Sequence, residues 1–246
     1  MKTLIIIPSR LSATRLPGKP LLKINGLSII SHVVKRAEEA NIGEVLVATE
    51  DYQIIEDVKK NGGQAILTSN KHMSGTDRIY EALKRSGKTD IDFIVNLQGD
   101  EPLMNSADII NLSNQMIKNN SNFGTLASRV LDDKLYLNEN VVKVQTKESL
   151  DVSQFPEALN FTRKIKDLRE NIYHHLGIYC YNFETLEKFV SFKQSNNEIK
   201  NKLEQLRALD NNMVIHVALA KASPVGVDTL EEYIAIKKMM EKKNEE

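Results

Sequence analysis

Apolar residues are distributed along the chain in two distinct periods. Thr3-Leu4-Ile5-Ile6-Ile7 is apolar on both faces and β-branched, the pattern of a strand buried in a parallel sheet covered on both sides. A loop runs from Pro8 to about Gly26. Ile29, Ile30, Val33, Val34 and Ala37 then recur at helical spacing with charge opposite. Gly43 ends that unit, and Val45-Leu46-Val47-Ala48 reads as a second buried strand. Asp51 to Lys60 predicts a helix terminated by Gly62-Gly63. Ala65-Ile66-Leu67 is a short strand, Ile79 to Lys84 lies in a further helix, and Phe93-Ile94-Val95-Asn96-Leu97 is a third strong strand. Strand and helix alternating at this spacing predict a doubly wound α/β sheet.

The second half is less regular. Asn105 to Lys118 predicts a helix and Asn119 to Asn122 a loop. Val141 to Val144 and Leu176 to Tyr181 read as strands. The polar, proline-interrupted stretch from Glu148 to Asn171 reads as a surface excursion. Ile199, Leu203, Leu206 and Leu209 mark an amphipathic helix, Val214 to Leu219 a strand and Leu230 to Met240 a last helix, before a frayed, charged tail from Glu241 to Glu246. No internal repeat or low-complexity linker appears.

Composition narrows the classes. With 246 residues, 41% hydrophobic and 27% charged, the chain is of globular type. Lys+Arg and Asp+Glu both number 33 and no basic block occurs, which argues against a nucleic-acid partner. The single cysteine, Cys180, excludes an intramolecular disulfide framework and a multi-cysteine zinc site. No apolar run approaches the ~20 residues that span a bilayer, and Pro8 cuts off the only N-terminal one. A cytoplasmic, soluble protein is expected.

In open α/β sheets ligands bind beyond the carboxyl ends of the strands, and three segments fall there. The first, Pro8 to Pro20, carries Arg10, Arg15 and Lys19 with three hydroxyls and a Pro17-Gly18 turn. It reads as a polyphosphate cradle or as an ordinary connection with solvated cations, but not as a P-loop, since Pro20 follows Gly18-Lys19. The second, Asn96 to Pro102, displays Asp100 either for a hard cation such as Mg2+ or as a turn cap. The third, Ser223 to Thr229, offers Asp228 as a second metal ligand or as the N-cap of the last helix. Two strand-end carboxylates together with a cationic loop suggest a nucleoside triphosphate with Mg2+. Ser74-Gly75-Thr76-Asp77-Arg78 enters a helix, either presenting N–H groups to a ligand or capping through Ser74 or Thr76. Tyr173 to Tyr179 brings His174 and His175 to a strand entrance without a zinc-site spacing. Glu204, Gln205 and Arg207 share the polar side of a helix, a solvated face unless that face lines a cleft.

These segments, taken together, resemble the 3-deoxy-manno-octulosonate (Kdo) cytidylyltransferase family nearly end to end. The landmarks are Ile7 to Arg10 with Thr14 to Pro20, Val47-Ala48-Thr49, His72, Ser74 to Arg78, Val95 to Pro102, His175 to Tyr179, Leu203 to Arg207 and Gly226 to Thr229. The R-L-P-G-K-P loop is shared with sialic-acid cytidylyltransferases, whereas the other motifs as a set are specific. The resemblance implies a Rossmann-like nucleotide-diphospho-sugar transferase fold with a mostly parallel sheet. It implies one cytidylyltransferase domain over 1–246, with a smaller dimerisation and sugar-side lobe drawn roughly from 123–182. The activity implied is transfer of CMP from CTP to the anomeric hydroxyl of Kdo, releasing pyrophosphate, for lipopolysaccharide synthesis. It further implies Mg2+ on Asp100 and Asp228, and Lys19, Asp100 and Asp228 as the catalytic set. Arg10, Ser12, Lys19, Ser74, Gly75, Thr76, Arg78 and Gln98 would hold the nucleotide. Arg163, His175, Tyr179, Glu204 and Gln205 would shape the sugar pocket of a homodimer.

Two departures stand out. The family's A-L-Y-F-S-R and following Ile-Pro become Ala158-Leu159-Asn160-Phe161-Thr162-Arg163 and Lys164-Ile165-Lys166-Asp167, with a shortened connection to Tyr173. Glu50 stands where Asp is usual. The competing readings are a cytidylyltransferase for another acidic 2-keto sugar (the 8-amino relative of Kdo, or a sialic-type acid) and a non-catalytic CTP-binding relative. A nicotinamide oxidoreductase is disfavoured, because no G-x-G-x-x-G follows the first strand.

Overall fold

Strand β1 (Thr3–Ser9) has parallel neighbours on both sides, and its residues Leu4 to Ile7 are fully buried. That is the environment a continuous β-branched run requires, since neither face can meet water. In the computed structural model, residues 13–14, 73, 131–135, 166–169, 222, 224–225 and 243–246 lie outside the described set, and the charged tail expected to fray falls largely there. The chain divides into two units, Met1–Ser106 with Pro224–Glu246, and Ala107–Ser223. The second unit contains all of 123–182 but is wider at both ends.

In the first unit, β1 is followed by a two-stranded hairpin, β2 (Lys23–Ile24) and β3 (Leu27–Ser28), and by α1 (Ile29–Glu39), whose buried face is the predicted Ile29, Ile30, Val33, Val34 and Ala37. Ser28 caps α1 by accepting a bond from Ser31 N. Then come β4 (Gly43–Thr49), α2 (Tyr52–Lys60), β5 (Ala65–Leu67), α3 (Gly75–Arg85) and β6 (Phe93–Asn96). The strands run β6-β1-β4-β5, all parallel. The C-terminal helix, Leu230–Lys242, places Ile236 and Met240 in a core cluster with Ile24, Ile29 and Val227.

The second unit begins with α4 (Ser106–Lys118) and β7 (Phe123–Ser128), a strand that the sequence pattern does not announce. β7 is buried throughout although half of it is Gly124, Thr125 and Ser128, so tertiary context overrides a weak local signal. β8 spans Lys143–Thr146, two residues later than expected. β9 (Ala158–Thr162) lies inside the expected surface excursion and buries Ala158 and Phe161, with Leu150 and Phe155 also in the core. β10 (Ile172–Asn182) pairs antiparallel with β7 and β8, and β9 pairs antiparallel with β8. α5 (Phe183–Ser191) follows.

The single amphipathic helix expected around Ile199 to Leu209 is instead two short ones, α6 (Asn196–Asn201) and α7 (Leu206–Asp210). A Ser195–Glu198 capping box starts α6, and Lys202, at φ 52, ends it in the left-handed region. The expected solvated face is also corrected, because Arg207 and Gln205 are buried and Arg207 makes two bonds to buried Glu198, at 2.6 and 2.9 Å. β11 (His216–Leu219) pairs parallel with β7, while Val214 is exposed rather than part of the strand. Cys180 is a buried strand residue whose thiol pKa is pushed up by burial. Among the described residues no helix is long and apolar enough to cross a membrane. The whole is a mixed, mostly parallel α/β fold.

Candidate active site

Within the first unit a cleft of about 350 Å³ opens at the strand ends. Arg10, Ser12, Arg15 and Lys19 line it from the loop after β1. Ser74, Gly75 and Arg78 line it from the start of α3, Gln98, Gly99 and Asp100 from the segment after β6, and Asp228 and His72 complete it. The three strand-end segments singled out in the sequence therefore do share one cavity.

Their charges are interlocked. Lys19 Nζ donates to Asp100 Oδ2 at 2.6 Å and to Asp228 Oδ1 at 3.1 Å, and Arg15 Nη2 reaches Asp228 Oδ2 at 2.8 Å. Burial disfavours the Lys19 ammonium, but the Asp100 and Asp228 carboxylates outweigh it and hold its pKa above 10.5. Gly18, at φ 70, makes the left-handed turn that delivers Lys19, a conformation few side chains tolerate. Gly99 permits a close approach, since a Cβ there would lie 2.9 Å from the Pro8 carbonyl oxygen.

Asp228 does not cap the last helix. Thr229 Oγ1 accepts from Glu232 N at 3.2 Å while Glu232 Oε2 accepts from Thr229 N and Asp228 N, both at 2.8 Å. Capping thus falls to the neighbouring residue, and the Asp228 carboxylate stays in the cleft. Nor is Asp100 a turn cap, since its carboxylate receives Lys19.

Two polar groups beside the cleft carry no assignment from the motif reading. Ser9 Oγ, at the end of β1, is enclosed without a hydrogen-bond partner. Glu101 Oε2 is likewise enclosed, and burial, followed by the Asp100 and Asp228 charges, raises the Glu101 pKa from 4.5 to about 8, so it carries its proton at neutral pH. The signal for Glu101 was its place directly after a displayed Asp and before Pro102.

The wall at α3 is built by a second network. Ser74 is the N-cap, its Oγ accepting from Asp77 N at 3.2 Å, whereas Thr76 is buried and does not line the cleft. The Arg78 guanidinium is buried, donating to Thr68 Oγ1 at 2.7 Å and Ser69 O at 3.3 Å and pairing with Glu50. Glu81 accepts from Ser69 N at 2.9 Å and pairs with His72, fixing the imidazole on the cleft wall. Across the cleft, Asp51 accepts from Leu11 N at 2.8 Å and so anchors the cationic loop. Gln98 Nε2 lies 3.5 Å from Asn96 Oδ1.

The predicted sugar-side residues lie in the second unit and do not all meet. Arg163 lines a cavity of about 550 Å³ with Lys143, Lys164, Lys200 and Glu139 among others, and its Nη1 contacts the carbonyls of Glu139 and Asn140 at 3.4 and 3.2 Å. His175 and Tyr179 form a buried pair with ring centroids 5.5 Å apart, and Thr125 Oγ1 lies 3.0 Å from His175 Nε2. Burial, with His174 adding to it, pushes the His175 pKa down to about 3, so the ring is neutral. Burial, then Tyr181 and Glu204, raises that of Tyr179. Gln205 is buried, and Glu204 contacts Arg207 at 4.0 Å. None of these four lines the Arg163 cavity among the described residues.

A divalent cation would find suitable donors in the first cleft. Asp100 and Asp228 present hard carboxylate oxygens close enough to share one ammonium group, and Mg2+ characteristically takes one or two carboxylates along with phosphate oxygens. The arrangement can therefore hold a polyphosphate and a hard cation side by side.

Comparison with known proteins places the chain in a family. A family model described as Cytidylyltransferase matches residues 4–215. The chain is 40% identical over 242 residues to the 3-deoxy-manno-octulosonate cytidylyltransferase of Bartonella tribocorum, covering 98% of this chain and 99% of that one. It is 43% identical over 233 residues to that of Nitrobacter winogradskyi, covering 93% and 90%. A solved structure of CMP:2-keto-3-deoxy-manno-octonic acid synthetase complexed with CTP superposes with TM-score 0.88 at 33% identity, covering 99% of this chain and 100% of that one. With sequence and fold matched over essentially the whole length, the chain belongs to the 3-deoxy-manno-octulosonate cytidylyltransferase family.

Proposed function

We propose that this protein transfers CMP from CTP to the anomeric hydroxyl of Kdo, releasing pyrophosphate and supplying CMP-Kdo for lipopolysaccharide synthesis. The observation that carries the reading is Lys19 held between two strand-end carboxylates in a cation-lined cleft, in a chain with these relatives. The anomeric oxygen forms a bond to the α-phosphorus as the bond to the bridging oxygen of the β-phosphate breaks. The hydroxyl proton is lost to solvent and pyrophosphate leaves. Arg10, Ser12, Arg15 and Lys19 bind the triphosphate and neutralise charge accumulating on the leaving group. Ser74, Gly75, Arg78 and Gln98 hold the rest of the nucleotide. Asp100 and Asp228 would hold Mg2+, which when bound supplies Lewis acidity to the phosphate and lowers the pKa of the attacking hydroxyl.

On the sugar side we assign Arg163 to the Kdo carboxylate, and His175, Tyr179, Glu204 and Gln205, which stand outside the Arg163 cavity, to the rest of the sugar. A neutral, buried His175 serves this role by packing and hydrogen bonding, not as a proton carrier. We further propose a homodimer with its contact in the region 123–182, and a cytoplasmic location, where CTP is available.

The test is pyrophosphate release with CTP and Mg2+ against Kdo, 8-amino-Kdo and sialic acid, with UTP and ATP as nucleotide controls. Turnover with Kdo and CTP is expected. Turnover with the 8-amino sugar alone would keep the chemistry and trace specificity to the altered 158–173 stretch. CTP binding without turnover on any sugar would overturn the proposal in favour of a non-catalytic relative.

A further inference from the structure

The turn after β4 carries two adjacent carboxylates, Glu50 and Asp51, and neither lines the cleft. Each nonetheless contacts a segment that does. Asp51 takes the Leu11 amide of the cationic loop, and Glu50 takes the Arg78 guanidinium on the opposite wall. We infer that Glu50 is a positioning residue for nucleotide binding, acting through Arg78. The inference rests on the proposed function above, and no motif assigns Glu50 a role.

An Arg side chain stays charged at all accessible pH, and a buried guanidinium must be paired. Arg78 is only 4% exposed, and its acceptors among the described residues are Thr68 Oγ1, the Ser69 carbonyl and the Glu50 carboxylate. Glu50 is the one anion among them. Thr68 and Ser69 O both engage Nη1, so Glu50 on Nη2 fixes the rotation of the guanidinium plane. Arg78 Nε–H has no acceptor among the described residues, which leaves a donor for the nucleotide on a side chain that lines the cleft. Removing the Glu50 charge would leave a buried cation with neutral partners only, free to turn away from the cleft towards solvent.

The experiment measures CTP affinity by calorimetry, and KM for CTP and kcat in turnover, for wild type, E50Q, R78K and the double variant. E50Q is expected to weaken CTP binding about tenfold and raise KM for CTP to match, with kcat at saturating CTP within about twofold. In the R78K background E50Q is expected to add nothing, since the effect passes through Arg78. Wild-type CTP affinity in E50Q, or losses that multiply in the double variant, would overturn the inference while leaving the proposed function standing. A wild-type protein that binds no CTP would end both. If circular dichroism shows E50Q unfolded, E50D and T68V carry the test. Each is expected to weaken CTP about threefold, and wild-type affinity in both overturns the inference.

Discussion

The two units treat charge in opposite ways. In the first, Arg15, Lys19, Asp100 and Asp228 neutralise one another at the strand ends, with the Arg15 and Asp228 side chains 58% and 43% exposed. In the second, Arg207 and Glu198 form an ion pair whose side chains are 2% and 4% exposed, the Lys143 ammonium is consumed by three backbone carbonyls, and His175 is kept neutral. The same residue types thus do different work. A partner that a ligand arriving from solvent can replace makes a binding site. A partner sealed from solvent makes scaffold, and losing it leaves an uncompensated charge.

The contrast is broken most forcefully at the open pair. Asp100→Asn or Asp228→Asn is expected to lower kcat about a thousandfold or more while leaving the urea midpoint near wild type, because these carboxylates serve ligand rather than fold. An Asp228→Asn enzyme with full activity at low Mg2+ would remove Asp228 from the metal set. At the sealed pair the expectation inverts. Glu198→Gln or Arg207→Met should cost about 3–5 kcal/mol in urea unfolding, and Glu198→Leu with Arg207→Met should recover most of it. A double-variant loss equal to the sum of the two single losses would show that the pair does not act as a unit.

The smallest effect sharpens the comparison through pH. The His175 pKa lies near 3 in the fold against an ordinary 6.5, through burial and then His174. The unfolded chain therefore takes up the proton first. His175's contribution to stability is whole above pH 6.5 and drains as pH falls towards 3, by up to about 1.4 kcal/mol per pH unit. His175→Gln should show a shallower fall in the urea midpoint between pH 6.5 and 4.5. Parallel slopes for variant and wild type would contradict the burial of an uncharged ring.

What the chain disclosed in advance follows the same division. β1, α1 and β4 were legible because their apolar period is local and strong. β7 was not, because Gly124, Thr125 and Ser128 are buried by partners distant in sequence, and β9 was hidden in a polar stretch where only Ala158 and Phe161 turn inward. The break at Lys202 was invisible to periodicity, which reads Ile199 to Leu209 as one face although Ile199 is exposed. At the site, Lys19, Asp100 and Asp228 could be found because strand-end loops are where α/β ligands bind. Glu50 and Asp51 looked like ordinary residues at a helix entrance. What they hold, Arg78 and the Leu11 amide, lies 28 and 40 positions away, and no local pattern encodes that.

The bare α-carbon of Gly99 has a consequence for the reaction itself. The segment carrying Asp100 lies so near the end of β1 that one added methyl would press on the Pro8 carbonyl. The distance between the cationic loop and the segment of Asp100 is therefore gauged by an absent side chain, backbone resting on backbone. Such a gauge has no rotamers to sample and no charge to titrate. A change of pH or salt acts on the side chains of the cleft and finds no group to act on at this contact.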